Sequence, residues 1–140
     1  MEDCIFCKII KGIIPSFKVY EDEKVFAFED INPISPGHTL IVPKKHCVNL
    51  LDITEDDLLA VAGASRKIAA AMKKGLGADG IVAMQLSGRA VHQEVMHYHL
   101  HLVPRKDSDP PLPLANWTIK PGNMDDIKAL TQKIVTALNG

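Results

Sequence analysis

The chain reads as an α+β domain, a mainly antiparallel five-stranded sheet with one long helix and a C-terminal helix. Three observations carry this reading. Five short runs rich in β-branched and aromatic residues lie along the chain. One of them bears histidine at every second position, His97-Tyr98-His99-Leu100-His101, which is the period of a strand. Two other segments repeat their apolar residues at helical spacing.

The first extended runs are Lys18–Tyr20, Val25–Phe28 and Thr39–Val42. A helix follows, with Thr54 as N-cap and Asp57 where a capping box wants an acceptor. Leu58, Val61, Ile68 and Met72 form its stripe, Lys73 and Lys74 suit its negative end, and Gly75 is expected to stop it. Ile81–Leu86 is the fourth extended run and Val95–Val103 the fifth, with Pro104 as its stop. On that last strand all three imidazoles project from one face, and Tyr98, Leu100 and Leu102 from the other. A proline-rich connection (Pro110, Pro111, Pro113, Pro121) carrying the single tryptophan, Trp117, leads to a helix capped by Asn123. Ile127, Leu130, Ile134 and Leu138 make that helix's apolar stripe.

At 140 residues the chain is expected to be a single domain over residues 1–140. The balance of 16 basic and 17 acidic residues, with no basic cluster, argues against nucleic-acid binding. The apolar runs are too short for a membrane span, and the acidic start Met1-Glu2-Asp3 lacks a signal-peptide core, so a cytoplasmic protein is expected. Three cysteines, Cys4, Cys7 and Cys47, make a disulfide framework improbable.

Two constellations carry chemistry. The histidine row is a solvated His-rich face, a metal site needing further ligands, or a nucleophile flanked by proton carriers. Cys4-x-x-Cys7 is half of a tetrahedral zinc site or a redox pair.

His97-x-His99-x-His101, followed by Leu102-Val103, resembles the signature of the histidine-triad nucleotide-binding family. Further blocks match in order and spacing: Cys4-Ile5-Phe6-Cys7-Lys8-Ile9-Ile10, Phe28-Glu29-Asp30-Ile31-Asn32-Pro33, Pro36-Gly37-His38-Thr39-Leu40-Ile41-Val42-Pro43-Lys44 and Gln93-Glu94-Val95. The resemblance covers about residues 3–105 and leaves the tail and helix of 106–140 outside.

The resemblance implies a purine nucleotide-binding hydrolase, a nucleoside 5′-phosphoramidase of the AMP-amide or AMP-lysine type. It would work through a covalent nucleotidyl-histidine, with AMP or GMP as the bound nucleotide. His99 matches the nucleophile, His101 the phosphate-contacting third histidine and His38 a fourth histidine of the phosphate pocket. Asp30 matches the acceptor of the ribose hydroxyls, and Phe6, Ile9, Phe28 and Ile31 the slot for the base. Gln93, with backbone donors near Glu94 and Val95, matches the phosphate side. By the same resemblance Cys4, Cys7, His46 and His97 form a structural zinc site, with Cys47 as an alternative to His46. A homodimer is implied, with the Trp117 tail reaching towards the partner's site.

The chain departs from the family pattern at three places. Leu86 stands where phosphoramidase members usually carry asparagine, His92 where they have glycine, and Glu94 where serine is frequent. Glu94 is expected to favour a cationic leaving group. The rival readings are a dinucleoside polyphosphate hydrolase or phosphorylase, and a nucleotide-binding partner protein with weak catalysis.

Overall fold

The computed structural model describes residues 3–112 and 119–140. In chain order its elements are α1 (Ile5–Ile10), β1 (Lys18–Glu21), β2 (Val25–Glu29), β3 (Thr39–Pro43), α2 (Glu55–Leu76), β4 (Gly80–Gln85), a 3-10 turn at Arg89–Val91, β5 (Leu100–Arg105) and α3 (Met124–Asn139). The strands form one antiparallel sheet in the order β1-β2-β3-β5-β4, the α+β architecture expected.

β2 and β3 are buried along their whole length because both faces of the sheet are covered. Val25, Ala27 and Ile41 turn towards α2, packing with Val61, Ile68 and Met72, and Ile134 of α3 joins them. Phe26, Phe28, Leu40 and Val42 turn the other way, against Phe6 and Ile9 of α1. Alternation along each strand therefore fills two cores from one sheet.

The helices α2 and α3 begin where their caps predict, with Thr54 Oγ1 accepting the Asp57 N–H and Asn123 Oδ1 the Asp126 N–H. Four expectations need correction. Gly75 does not stop α2, which runs to Leu76 and ends at Gly77 in the left-handed region, φ +68°. Gly75 instead lies inside the helix, where a Cβ would meet the Lys133 carbonyl oxygen of α3 at 2.5 Å. The glycine is there for close helix contact. The histidine strand starts at Leu100, so of its three histidines only His101 lies on β5. Pro104 does not stop β5, which continues to Arg105 opposite Ile81 and Gly80 of β4. β3 pairs only with Leu100, His101 and Leu102, so no β3 ladder requires the missing N–H of Pro104. Lastly, Leu86 falls just beyond β4.

α1 has no counterpart among the elements that periodicity and capping predict. Six residues are too few to display a helical period, and its N-cap is Cys4, whose sulfur accepts the Cys7 N–H. The Trp117 arm lies outside the described residues. Among those residues no helix is long and apolar enough to cross a membrane.

Candidate active site

The sheet face covered by α1 carries the histidines. Leu40 and His101 are paired across β3 and β5, so His101 shares the face of Leu40. His97 and His99 lie just ahead of β5, and Phe6 meets both edge-on, with ring centroids 5.9 and 5.1 Å away. Tyr98 and Leu102 point into the α2 core, so the alternation expected from sequence survives although only part of the run is strand.

Carbonyl oxygens fix the protonation of two of these rings, because a carbonyl can only accept. His97 Nε2 lies 2.8 Å from the Pro43 oxygen and must donate there. His99 Nδ1 lies 2.7 Å from the His97 oxygen and donates likewise. Burial holds the pKa of both below the ordinary imidazole value, His97 at about 4. As neutral rings they keep a lone pair on His97 Nδ1 and on His99 Nε2.

A third ring follows the same logic. The Ile34 N–H donates to His38 Nδ1 over 3.1 Å, so the His38 proton sits on Nε2. That Nε2 lies 2.9 Å from His101 Nδ1 and donates to it, which leaves the His101 proton on Nε2. Burial pushes His38 down to about 3 and His101 to about 2. His38 Nδ1 is 3.7 Å from Asp30 Oδ2, but with a neutral ring this is proximity and not an ion pair. Asp30 sits at the end of β2, its N–H donating to the His38 carbonyl and its Oδ1 accepting the Asn32 N–H. Burial raises its pKa.

Of the residues assigned to the base slot, Phe6, Ile9 and Phe28 are buried in the second core, whereas Ile31 is exposed. Gln93 is buried, with both amide hydrogens engaged. Its Nε2 donates to the Val48 and Val95 carbonyls, and its Oε1 accepts the Gly88 N–H at 2.7 Å. Its amide therefore ties the loop around residues 86–95. Val95 packs beside the Phe6 core, and Glu94 is exposed. Ser87, next to Leu86, accepts the Leu50 N–H and donates to Gln85 Oε1. His92 adopts φ +70°, a conformation natural to glycine.

On the far side of His97, the ligand atoms of Cys4, Cys7, His46 and His97 lie within 4.8 Å of one another. Cys4 Sγ and Cys7 Sγ are 3.3 and 3.6 Å from His97 Nδ1, and His46 Nδ1 is 3.4 Å from Cys7 Sγ and 3.2 Å from His97 Nδ1. Zinc bonds of about 2.0–2.1 Å to nitrogen and 2.3 Å to sulfur give tetrahedron edges of roughly 3.3–3.8 Å, so this donor set fits that ion. Cys47 is not among the four. Its thiol is buried in the α2 core, the other way from its neighbour His46, and burial raises its pKa to about 11. The Pro43 carbonyl, the His97 carbonyl and the Ile34 N–H have no trace in the sequence, since backbone groups carry no residue-type signature.

Residues 11–108 match the model of the HIT domain. The adenosine 5′-monophosphoramidase HNT1 of Saccharomyces cerevisiae is 39% identical over 137 residues, covering 98% of this chain and 84% of that protein. Among solved structures, a Hit-like protein of Bartonella henselae superposes with a TM-score of 0.86 at 40% identity, covering 98% of both chains. A zinc-bound histidine triad family protein of Mycobacterium smegmatis gives a TM-score of 0.86 at 34% identity, covering 99% of this chain and 94% of that one.

Proposed function

Because this chain belongs to the HIT domain family, we propose that it is a purine nucleoside 5′-phosphoramidase that works through a nucleotidyl-His99 intermediate. The observation that carries this reading is the bond from His99 Nδ1–H to the His97 carbonyl, which leaves a neutral Nε2 lone pair beside His101. A neutral imidazole is a competent nucleophile near pH 7.

In the proposed reaction His99 Nε2 attacks the α-phosphorus. The P–N bond breaks, and the departing amine takes a proton from solvent water, which the later hydrolysis step returns. Water then cleaves the nucleotidyl-imidazole, releasing the nucleoside monophosphate and restoring His99. His101, with its proton on Nε2, serves a phosphoryl oxygen or the departing amine, and His38 holds it in that tautomer. Asp30 offers its carboxylate to the ribose, and Phe6, Ile9, Phe28, Ile31 and Val95 offer apolar surface to the base. Backbone donors near Glu94 complete the phosphate side.

Zinc, held by Cys4, Cys7, His46 and His97, would pin α1 to the start of the histidine run and supply structural rigidity. Support for a homodimer comes from β4, which pairs only with β5 among the described residues and leaves one sheet edge for a second copy. A cytoplasmic, reducing setting would keep Cys4 and Cys7 available as metal ligands.

The test is steady-state hydrolysis of adenosine 5′-phosphoramidate by wild type and His99→Ala. AMP release by the wild type that vanishes in the variant, with AMP still bound in calorimetry, is the expected result. Binding without turnover in the wild type would move the assignment to a polyphosphate substrate or a binding-only role.

A further inference from the structure

Glu29 is the residue of β2 between Phe28 and Asp30, yet alternation turns its side chain away from both, towards the helix side of the sheet with Val25 and Ala27. It is 2% exposed. Among the described residues no cation acts on it, and its charged neighbour is the Asp30 carboxylate. An ionised carboxylate left in such surroundings carries a large desolvation cost.

The hydrogen bonds around it point to a neutral acid. Thr39 Oγ1 lies 2.7 Å from Glu29 Oε1 and 3.0 Å from the Gly37 carbonyl oxygen. A hydroxyl has one hydrogen, so it cannot donate to both. With the proton on Glu29 the contacts become one chain: the carboxyl O–H donates to Thr39 Oγ1, and the Thr39 O–H donates to the Gly37 carbonyl. Burial, with the Asp30 charge behind it, pushes Glu29 up to about 8 against the Thr39 hydrogen bond.

The end of that chain matters because Gly37 precedes His38. Gly37 has φ +88° and packs so closely on Pro104 that a Cβ would come within 2.7 Å of it. On either side the turn is tied by Ser35 Oγ, which accepts from Arg105, and by His38 Nδ1, which accepts the Ile34 N–H, but Gly37 has no side chain of its own. Its carbonyl is fastened by Thr39, and the following His38 ring lies 2.9 Å from His101.

We propose that Glu29 is a positioning residue: as a neutral carboxylic acid it anchors, through Thr39, the Gly37 carbonyl and with it the turn that presents His38 to His101. This rests on the phosphoramidase reading for its effect on rate. Ionisation of Glu29 removes the first donor of the chain and loosens the turn. The histidines of the opposite sheet face, His38, His99 and His101, are already neutral below that pH, and Asp30 is the charged group that acts on Glu29.

The experiment combines 13C NMR of glutamate-labelled protein with kcat and KM for adenosine 5′-phosphoramidate between pH 5 and 10. The wild type should show a carboxyl resonance titrating near 8, absent from Glu29→Gln, with kcat falling in step and KM little changed. Glu29→Gln keeps a donor without the titration, so it should match wild-type kcat at neutral pH within about twofold and lose the alkaline decline. Glu29→Leu, or Thr39→Val where that variant does not fold, should lower kcat about tenfold through misplacement of the His38 turn. A Glu29 carboxyl titrating near the ordinary 4.5, or an alkaline decline that persists in Glu29→Gln, overturns the proposal. If the wild type hydrolyses no phosphoramidate, the functional reading fails by itself. Titration near 8 accompanied by a shift of the His38 ring signals then still supports Glu29's role, and titration without that shift overturns it.

Discussion

His99 donates its Nδ1–H to the backbone carbonyl of His97 over 2.7 Å, so one histidine of the row sets the tautomer of the next. His97 is in turn oriented by the Pro43 carbonyl, which sends its Nδ1 lone pair towards Cys4, Cys7 and His46. Candidate metal centre and candidate nucleophile are therefore joined through a single residue. Backbone position on one side becomes ring orientation on the other.

Tautomers follow directly from these bonds. Long-range 15N–1H correlation spectra at pH 7 should show His99 as the Nδ1–H form and His38 as the Nε2–H form. A His99 ring protonated on Nε2 would contradict the nucleophile assignment.

Acid should destabilise the fold through its buried histidines. His38 at about 3 and His101 at about 2 lie far below the unfolded value of 6.5, so between those values the unfolded chain binds protons that the folded chain refuses. Their contribution is fully present above pH 6.5 and drains as pH falls, by about 1 kcal/mol per group and pH unit. Thermal denaturation at pH 7, 6 and 5 should show Tm falling less steeply in His101→Gln than in wild type. Equal slopes would mean that His101 is not buried neutral.

Metal removal should loosen the α1 side of the sheet. Protein purified without chelator is expected to carry about one zinc per chain by mass spectrometry, and Cys7→Ser far less. Structural zinc contributes on the order of 10 kcal/mol in small metal-bound domains, so even part of that should lower Tm by about 10 °C or more. Cys47→Ser should leave the zinc content unchanged, since Cys47 lies in the α2 core.

Gly75→Ala sets two effects against each other. Helix propensity alone favours alanine by about 1 kcal/mol. The new methyl, however, would stand 2.5 Å from the Lys133 carbonyl oxygen, a backbone atom that moves only with α3. Overpacking of that kind costs about 1–3 kcal/mol, so the expected outcome is a net loss in urea denaturation, with a similar loss of Tm.

Much of the scaffold was legible because it is encoded locally. The caps Thr54 and Asn123 and the stripes through Ile68 and Ile134 announced two helices, and both formed there. α1 was not legible, since Cys4 caps it with a sulfur and its burial against Phe28 is a long-range event. The end of α2 was misplaced for a related reason. Two glycines stand close together, and only packing against Lys133 and a positive φ at Gly77 decide which is contact and which is stop.

By itself the sequence determined the α+β class, the family, and which residue types are available for chemistry. The class and the residue types follow from periodicity, capping and composition, which are short-range properties of the chain, and the family rests on the resemblance of its motif blocks. Only the tertiary structure decided how those residues act. It set which nitrogen of each histidine carries the proton, that His46 and not Cys47 faces the Cys4–Cys7 pair, and that Glu29 is buried beside Thr39. Each of these depends on a backbone carbonyl, a hydroxyl or a low-dielectric neighbourhood assembled from distant segments.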